Sequence, residues 1–568
     1  MREKSWGKRW NETKEWLKGR IAGDSFAFYT IYFVALLLVF AYIKVVLLGH
    51  LSIVYTIKSA TADASLIMLA SLLPRGNWKY LLLPVPLVVA ILMVANALFF
   101  RTFGDIIPAT MYFASAPFDP TVMKGGGNVL RWFDFIPLII SLVPTIWVII
   151  IKGKRFRELN AGWGTLITTA VLLIVSWTAV LRSAYIEEKK YYPEENAAGV
   201  YKTIIDADTW KFTYDRLSFW GYALKCINNF RSIYITLTPE QEEKIRGHLA
   251  DRYSGEGKVP AGSGPENLII IVVESLPWSV YEMENADAIM PNLRKLAGDS
   301  TAVTLPLRNL SGLGNSSDSQ FMINTGLLPL KQEALVNFYG LNDYPSIGEA
   351  FAGESMEIIG EDSHLWNHTF TNKSYGFNKF RDKAAPGGKD QDGRIFALAL
   401  AEVKKLKEPF FLFVSTLSMH YHYKEHTVTS ELTPEVAGTQ DKFEREYLNR
   451  VNHFDKSIGE FITGLKRSGL YDRTLIIITG DHPIPANNVT SRLDDDRVFF
   501  TILNSPKREI KGSGHTQLDI FPTVLDLMGI DYNYFGTPYK GLGVDIFESE
   551  GTAPSEEDYA ISELIIKS

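Results

Sequence analysis

A single cysteine, Cys226, stands among the 568 residues, so an intrachain disulfide is excluded. A chain of this length can bury a core large enough to hold without one, even in an exported domain. Excess positive charge is also missing. The 58 lysines and arginines face 64 aspartates and glutamates, a formal net charge of -6, which gives nucleic acid no electrostatic reason to bind. Internal repeats and extended low-complexity segments are absent. No convincing small-residue cleavage site follows the first long apolar segment, which therefore reads as a retained anchor. What the chain has instead is segregated hydrophobicity. Residues 26–181 are mostly apolar, whereas residues 183–568 have the composition of an ordinary soluble protein. The expected organisation is a cytoplasmic segment over 1–25, a transmembrane domain over 26–182, a helical juxtamembrane linker over 183–262 and a catalytic domain over 263–568.

A helix needs about 20 mainly apolar residues to cross a bilayer. Phe26–Leu48, Tyr80–Phe100 and Gly162–Leu181 meet that test, and Phe135–Ile151 is short but acceptable. Ile53–Leu73 carries Lys58 and Asp63. It is read as a fifth span with its polar side toward the bundle, because intramembrane charges pair or do work; the competing reading is a re-entrant or interfacial segment. Positive charge then orients the chain. Arg2, Lys4, Lys8, Arg9, Lys14, Lys18 and Arg20 precede the first span, Arg75 and Lys79 follow the second, and Lys152, Lys154, Arg155 and Arg157 follow the fourth. With five spans all three groups fall on one side, which the positive-inside rule makes the cytoplasm. The soluble part then lies outside, as does the loop 101–133 with its glycines Gly125 to Gly127. Tyr201–Ile233, aromatic and apolar with interspersed charge, is expected to form helices along the membrane surface or packed on the soluble domain. Ser254–Pro265, rich in Gly, Ser and Pro, marks the start of that domain.

From Asn267 onward strand-like and helix-like runs alternate. Strands are expected at Leu268–Val273, Glu357–Gly360, Phe410–Ser415, Leu475–Thr479 and Val498–Leu503. Helices are expected at Met290–Ala297, Ile395–Leu406, Phe443–Gly469 and Ile520–Met528. The pattern predicts an α/β domain with a mainly parallel central sheet. Two of the buried strands stop on metal-binding side chains: the first on Glu274, the other on Asp481-His482. Ligands collect at the carboxyl ends of parallel strands, so this trio suggests a hard-metal site. Joined to a membrane anchor, it points to an enzyme acting on lipid-linked phosphate outside the cytosol.

The run Ser311 to Phe321 looks like a tight glycine loop entering a helix. Helix N-termini offer backbone N–H groups to an anion, and a serine there can meet a phosphate and a metal together, the metal lowering the pKa of its hydroxyl. Taken alone the loop reads better as a Ser or Asp cap. Together with the strand ends, it presents Ser316 as a nucleophile.

The segments Val273-Glu274-Ser275, Gly314-Asn315-Ser316-Ser317-Asp318-Ser319, Trp366-Asn367-His368, Ser418-Met419-His420-Tyr421 and Gly480-Asp481-His482, in that order, carry a resemblance. So do Gly469-Leu470-Tyr471-Asp472 and Asp519-Ile520-Phe521-Pro522-Thr523. The soluble domain resembles the alkaline phosphatase/sulfatase superfamily, and within it the membrane phosphoglycerol transferases of the lipoteichoic acid synthase group, whose five-span anchor also fits. The resemblance implies that Glu274, Ser316, Asp481 and His482 bind one divalent ion, manganese first, with zinc and magnesium as alternatives. It implies that His420 hydrogen-bonds the phosphoryl group or protonates the leaving oxygen, and that Trp366 packs against glycerol.

Three positions depart from that group. Ser316 stands where a threonine nucleophile is usual. His368 replaces a phosphate-gripping arginine and lacks its fork of donors. His515, in Gly514-His515-Thr516, reads as a second-metal ligand, a phosphate contact or a surface histidine. No cysteine lies in the nucleophile loop to become formylglycine, which disfavours sulfatase chemistry. His422, His426, Asp362, His364, Arg381 and Asp382 read as loop residues, and Asp494-Asp495-Asp496 as a solvated turn. The implied reaction moves phosphoglycerol from a membrane phospholipid to a glycan or glycolipid hydroxyl through a covalent Ser316 intermediate. Phosphoethanolamine transfer, phosphodiester hydrolysis and a non-enzymatic membrane scaffold are the alternatives. The compartment is the bacterial cytoplasmic membrane, with the catalytic domain periplasmic or at the cell surface.

Overall fold

The structure is a computed structural model. It describes residues 24–46, 53–103, 130–152, 161–190, 196–206, 210–230, 235–252, 264–331, 334–337, 339–360, 368–382, 391–420, 430–484 and 492–568, with a few isolated positions between them. The chain divides into two compact units. One comprises Met1–Ala109 with Gly126–Phe230, and the other Thr110–Gly125 with Arg231–Ser568.

In the first unit, helices occupy all five expected segments. Among the described residues four are long and apolar enough to cross a membrane: Asp24–Val46, Gly76–Arg101, Trp132–Ile150 and Trp163–Glu188. The expected count of five is therefore not matched. The helix Ile53–Ser71, which carries Lys58 and Asp63, is not among them. Both charges turn inward. Lys58 Nζ donates to Ser183 Oγ at 2.6 Å, and the fully buried Asp63 accepts from Ser218 Oγ and from Phe219 N. A second buried cluster joins the ends of other helices. Arg101 forks onto Asp134 at 2.6 and 2.8 Å, and Tyr42 donates to the same carboxylate. Planar guanidinium geometry suits this two-bond pairing.

The helices Ala197–Asp206 and Trp210–Phe230 belong to this unit and not to the soluble one. Val200, Ile204 and Leu217 bury against Ala184 of the last apolar helix, and Tyr201 Oη donates to the Leu181 carbonyl at 2.9 Å.

The second unit is built on a seven-stranded sheet. Its strands are β1 (Asn267–Val273), β2 (Val303–Arg308), β3 (Glu354–Ile359), β4 (Lys379–Arg381), β5 (Phe410–Ser415), β6 (Thr474–Gly480) and β7 (Arg497–Leu503). They lie in the order β2-β7-β6-β1-β5-β3-β4. β6, β1, β5, β3 and β4 run parallel, and β7 and β2 close one side antiparallel. The mainly parallel sheet expected from the sequence is present.

The apolar runs explain the layers. Along β1, Leu268, Ile270 and Val272 enter one core, whereas Ile269, Ile271 and Val273 enter the other. Both faces are covered, as parallel sheets require. Each such side chain contributes roughly 1.5–3 kcal/mol on burial. The helix Lys442–Ser468 packs Tyr447, Val451, Phe454, Ile458 and Leu465 onto the second face. It ends where Gly469 turns to φ 74°, the left-handed cap that glycine adopts freely. The helix Gln391–Val403 starts four residues earlier than its apolar periodicity suggests.

Candidate active site

Three central strands stop at one edge and set the site. β1 gives way to Glu274, β6 to Asp481 and His482, and β5 to the turn that carries His420. β6, β1 and β5 are consecutive in the sheet, so their ends converge. The described loop from β2 delivers Ser316 as the first residue of the helix Ser316–Thr325.

Glu274, Asp481 and His482 are all buried, with exposures of 6%, 2% and 5%. One ligand atom from each lies within 4.8 Å of the others. His482 Nε2 is 3.5 Å from Glu274 Oε1 and 3.6 Å from Asp481 Oδ2. Ser316 Oγ is 3.3 Å from Glu274 Oε2 and 3.2 Å from His482 Nε2.

The imidazole tautomer follows from its other nitrogen. Nδ1 lies 2.7 Å from the Pro483 carbonyl, which only accepts, so Nδ1 carries the proton and Nε2 presents a lone pair to the cluster. Asp481 is oriented as firmly. Its Oδ1 accepts from Ser275 N and His482 N, each at 2.7 Å, and Oδ2 faces His482.

Two carboxylates buried side by side raise the cost of charge. Burial, and then the charge of Glu274, push the Asp481 carboxyl up to about 6. Burial opposes a charge on His482, but Asp481 and Glu274 override it and raise the imidazole. A divalent cation relieves this repulsion, and oxygen and imidazole nitrogen donors suit one. Glu274, Asp481 and His482 could hold one, and Ser316 Oγ lies beside them.

Several further residues support the cluster through the backbone. Asp318 Oδ2 accepts from Gly312 N and Gly314 N, both at 2.9 Å, and so shapes the loop before Ser316. A Cβ at Gly314 would come within 2.1 Å of Asp318 Oδ1, so the loop needs glycine there. At the end of β6, a Cβ on Gly480 would meet the Leu276 carbonyl at 2.3 Å. Gln517 Nε2 donates to the Asp481 carbonyl at 2.6 Å, and Ser319 Oγ donates to that same oxygen. Asp392 Oδ1 accepts from Leu417 N and Ser418 N at 2.9 and 3.0 Å, fixing the turn that precedes His420.

The remaining candidates fall elsewhere. His420 is exposed at the same sheet edge. His368 is buried beside Glu357 on β3, Nδ1 to Oε1 3.3 Å. His515 is buried, not a surface residue; its Nε2 lies 3.0 Å from the Lys511 carbonyl and its Nδ1 3.5 Å from Asp519. Among the described residues neither of these two contacts the Glu274 cluster. Trp366, Asp362, His364, His422 and His426 lie outside the described residues.

Comparison with known proteins agrees with this architecture. Residues 266–530 match the sulfatase family model. The chain is similar to the lipoteichoic acid synthase of Staphylococcus aureus, 26% identical over 492 residues, which covers 80% of this chain and 73% of that protein. Among solved structures it is similar to the integral membrane lipooligosaccharide phosphoethanolamine transferase A (EptA) of Neisseria meningitidis. That likeness has a TM-score of 0.50 at 13% identity and covers 89% of this chain and 95% of that one. The lipoteichoic acid synthase LtaP of Listeria monocytogenes gives a TM-score of 0.45 at 19% identity, over 58% of this chain and 97% of that one.

Proposed function

We propose that this chain, a lipoteichoic acid synthase-like protein of the alkaline phosphatase/sulfatase superfamily, transfers a phosphoglycerol headgroup from a membrane phospholipid to an acceptor hydroxyl. The observation that carries the reading is Ser316 Oγ at the start of a helix, within 3.3 Å of Glu274 and 3.2 Å of His482. A hydroxyl held among buried ligands, with helix N–H groups beside it, fits attack on a phosphodiester.

In the first step Ser316 Oγ attacks phosphorus and gives its proton to solvent. The phosphorus–oxygen bond to diacylglycerol breaks, and the departing oxygen takes a proton, for which His420 is the proposed donor. A phosphoglyceryl serine remains. In the second step an acceptor hydroxyl attacks the same phosphorus and gives its proton to His420, the serine–phosphorus bond breaks, and the Ser316 oxygen takes a proton from solvent. Glu274, Asp481, His482 and Ser316 would hold a divalent cation, manganese in this reading, which would supply positive charge to the attack. The backbone N–H groups of the helix Ser316–Thr325 stabilise the same developing charge. Trp366, His368 and His515 are proposed on the substrate side.

The membrane helices keep such a site near a donor that cannot leave the bilayer. With Ile53–Ser71 crossing as a fifth span, the positive-inside rule would put the catalytic unit outside. A donor panel tests the reading. The full chain with manganese should release diacylglycerol from phosphatidylglycerol vesicles and not from phosphatidylethanolamine vesicles, and chelation should stop release. Preference for phosphatidylethanolamine would assign phosphoethanolamine transfer instead. Metal-dependent release with only water as acceptor would assign hydrolysis.

A further inference from the structure

Exposed apolar side chains are shared unevenly between the two units. The membrane unit has many, as helices facing lipid do. In the catalytic unit only three large hydrophobic side chains are exposed among the described residues: Leu341 at 66%, Phe370 at 43% and Val436 at 37%. Single exposed apolar residues call for no explanation, but adjacent ones do. Leu341 and Phe370 are adjacent. Ser374 Oγ donates to the Gly340 carbonyl at 2.7 Å, and a Cβ on Gly340 would meet Thr371 Cγ2 at 3.2 Å. The residue after Gly340 and the residue before Thr371 therefore flank one contact. Val436 lies elsewhere. Its neighbour Ala437 packs on one face of the sheet, whereas Tyr339 and Tyr375, beside the pair, pack on the other.

The pair also lies where the chain enters the catalytic unit. Phe230 ends the membrane unit. Five residues on, Ile235 N donates to the Lys567 carbonyl at 2.9 Å. The carbonyl before it, that of Ile566, accepts from Asn342 Nδ2 at 2.7 Å. Consecutive carbonyls at the end of the helix Glu556–Lys567 thus hold both the entering chain and the residue next to Leu341. Five residues reach at most about 18 Å, so a short tether joins this end of the catalytic unit to Phe230. Leu224 and Ile227, in the last turns before Phe230, are themselves exposed on the membrane unit.

Charge does not account for the pair. Asp343 and Lys373 are the exposed charges on these two segments, and they are opposite in sign. An apolar occupant fits better than an ionic one, and the tether makes the bilayer the apolar phase within reach. Two side chains alone would bind lipid weakly, but a tethered contact is intramolecular and benefits from a high effective concentration.

We propose that Leu341 and Phe370 insert into the surface of the bilayer that holds the membrane unit, and so seat the catalytic unit on its lipid. The proposal goes beyond the transferase reading and does not depend on it.

Spin labels in proteoliposomes test it. The full chain carries Cys226→Ser, which removes the only native thiol, and one of Leu341→Cys, Phe370→Cys or Val436→Cys, each labelled with a nitroxide. In phosphatidylcholine–phosphatidylglycerol vesicles, labels at 341 and 370 should be relaxed more by oxygen, which concentrates in lipid, than by a water-soluble nickel chelate. The label at 436 should show the reverse order. High salt should leave the result at 341 and 370 unchanged, because insertion is apolar. Water-like access at 341 and 370, or insertion lost in high salt, overturns the proposal. Low access to both reagents there would mean that protein covers the pair, and spin–spin broadening that grows with protein density would mean a second copy does; either overturns it as well. The seating is read separately with Leu341→Ser/Phe370→Ser. Diacylglycerol release from phosphatidylglycerol vesicles should fall about tenfold, with cleavage of a water-soluble phosphodiester retained as evidence of an intact fold. An equal effect on both substrates overturns the seating. If the parent chain cleaves neither substrate, the transferase reading has failed, and the spin labels still decide whether the pair meets lipid.

Discussion

Ser316 Oγ and His482 Nε2 lie 3.2 Å apart, although 166 residues separate them in the chain. The helix that starts at Ser316 and the strand that ends before Asp481 thus share one ligand set. Ser316→Ala removes the attacking oxygen but leaves Glu274, Asp481 and His482 in place. It should lower single-turnover diacylglycerol release by at least about a thousandfold while the protein still copurifies with metal. Ser316→Thr keeps a hydroxyl and should retain activity. Metal analysis and quenched-flow release measure the two effects separately.

Gln517 acts on the cluster from behind. Its amide holds the Asp481 carbonyl at 2.6 Å and the Gly480 carbonyl at 3.2 Å. Gln517→Leu leaves both carbonyls short of a donor and frees the Asp481-His482 turn. Outer supports of this kind alter metal affinity about 10–100-fold. Titration of the chelated protein with manganese should show that weakening, with the fold retained by circular dichroism.

These two residues mark where sequence reading succeeds and stops. β1 and β6 are legible because an apolar run bounded by turns, six residues in β1 and four in β6, fits a buried strand in an α/β pattern, and each strand stops on a candidate ligand. Gln517 is not legible, because it acts by hydrogen bonds to backbone carbonyls distant in sequence, and no local pattern records such a bond. β2 was missed for a related reason. It is half-buried and carries Pro306, which an edge strand tolerates and a central one does not. In the membrane unit, Asp63 interrupts an apolar run, yet it is fully buried against Ser218. Its partner comes from a segment 155 residues away.

Asp558 locks the C-terminal helix Glu556–Lys567 to the helix Pro239–Asp251. Its carboxylate accepts from Ser555 N at 2.7 Å, from His248 at 2.8 Å and from Arg252. Burial works against its charge, but the Ser555 hydrogen bonds, His248 and Arg252 hold its pKa below the ordinary carboxylate value. A lowered folded pKa means stability that is fully present above the unfolded value and lost as pH falls through the folded one. Asp558→Ala should therefore cost about 1–3 kcal/mol at neutral pH. The gap in melting temperature between wild type and variant should narrow below about pH 4. A gap constant with pH would contradict this account.

The Arg101–Asp134 pair should be as demanding in the membrane unit. Asp134 is fully buried and Arg101 forks onto it. Arg101→Ala strands a buried carboxylate and should destabilise by about 3–5 kcal/mol. Arg101→Lys keeps the charge without the fork and should fall between. Thermal unfolding in detergent gives the order.

Covalent capture of the headgroup on Ser316 is the claim on which the account turns. Intact mass and peptide mapping of the full chain, after incubation with manganese and phosphatidylglycerol and rapid acid quench, test it most directly. The account predicts a phosphoglyceryl mass on the peptide containing Ser316, dependent on metal and absent in Ser316→Ala. A protein that turns over phosphatidylglycerol with no adduct at Ser316, or with an adduct at another residue, would contradict it.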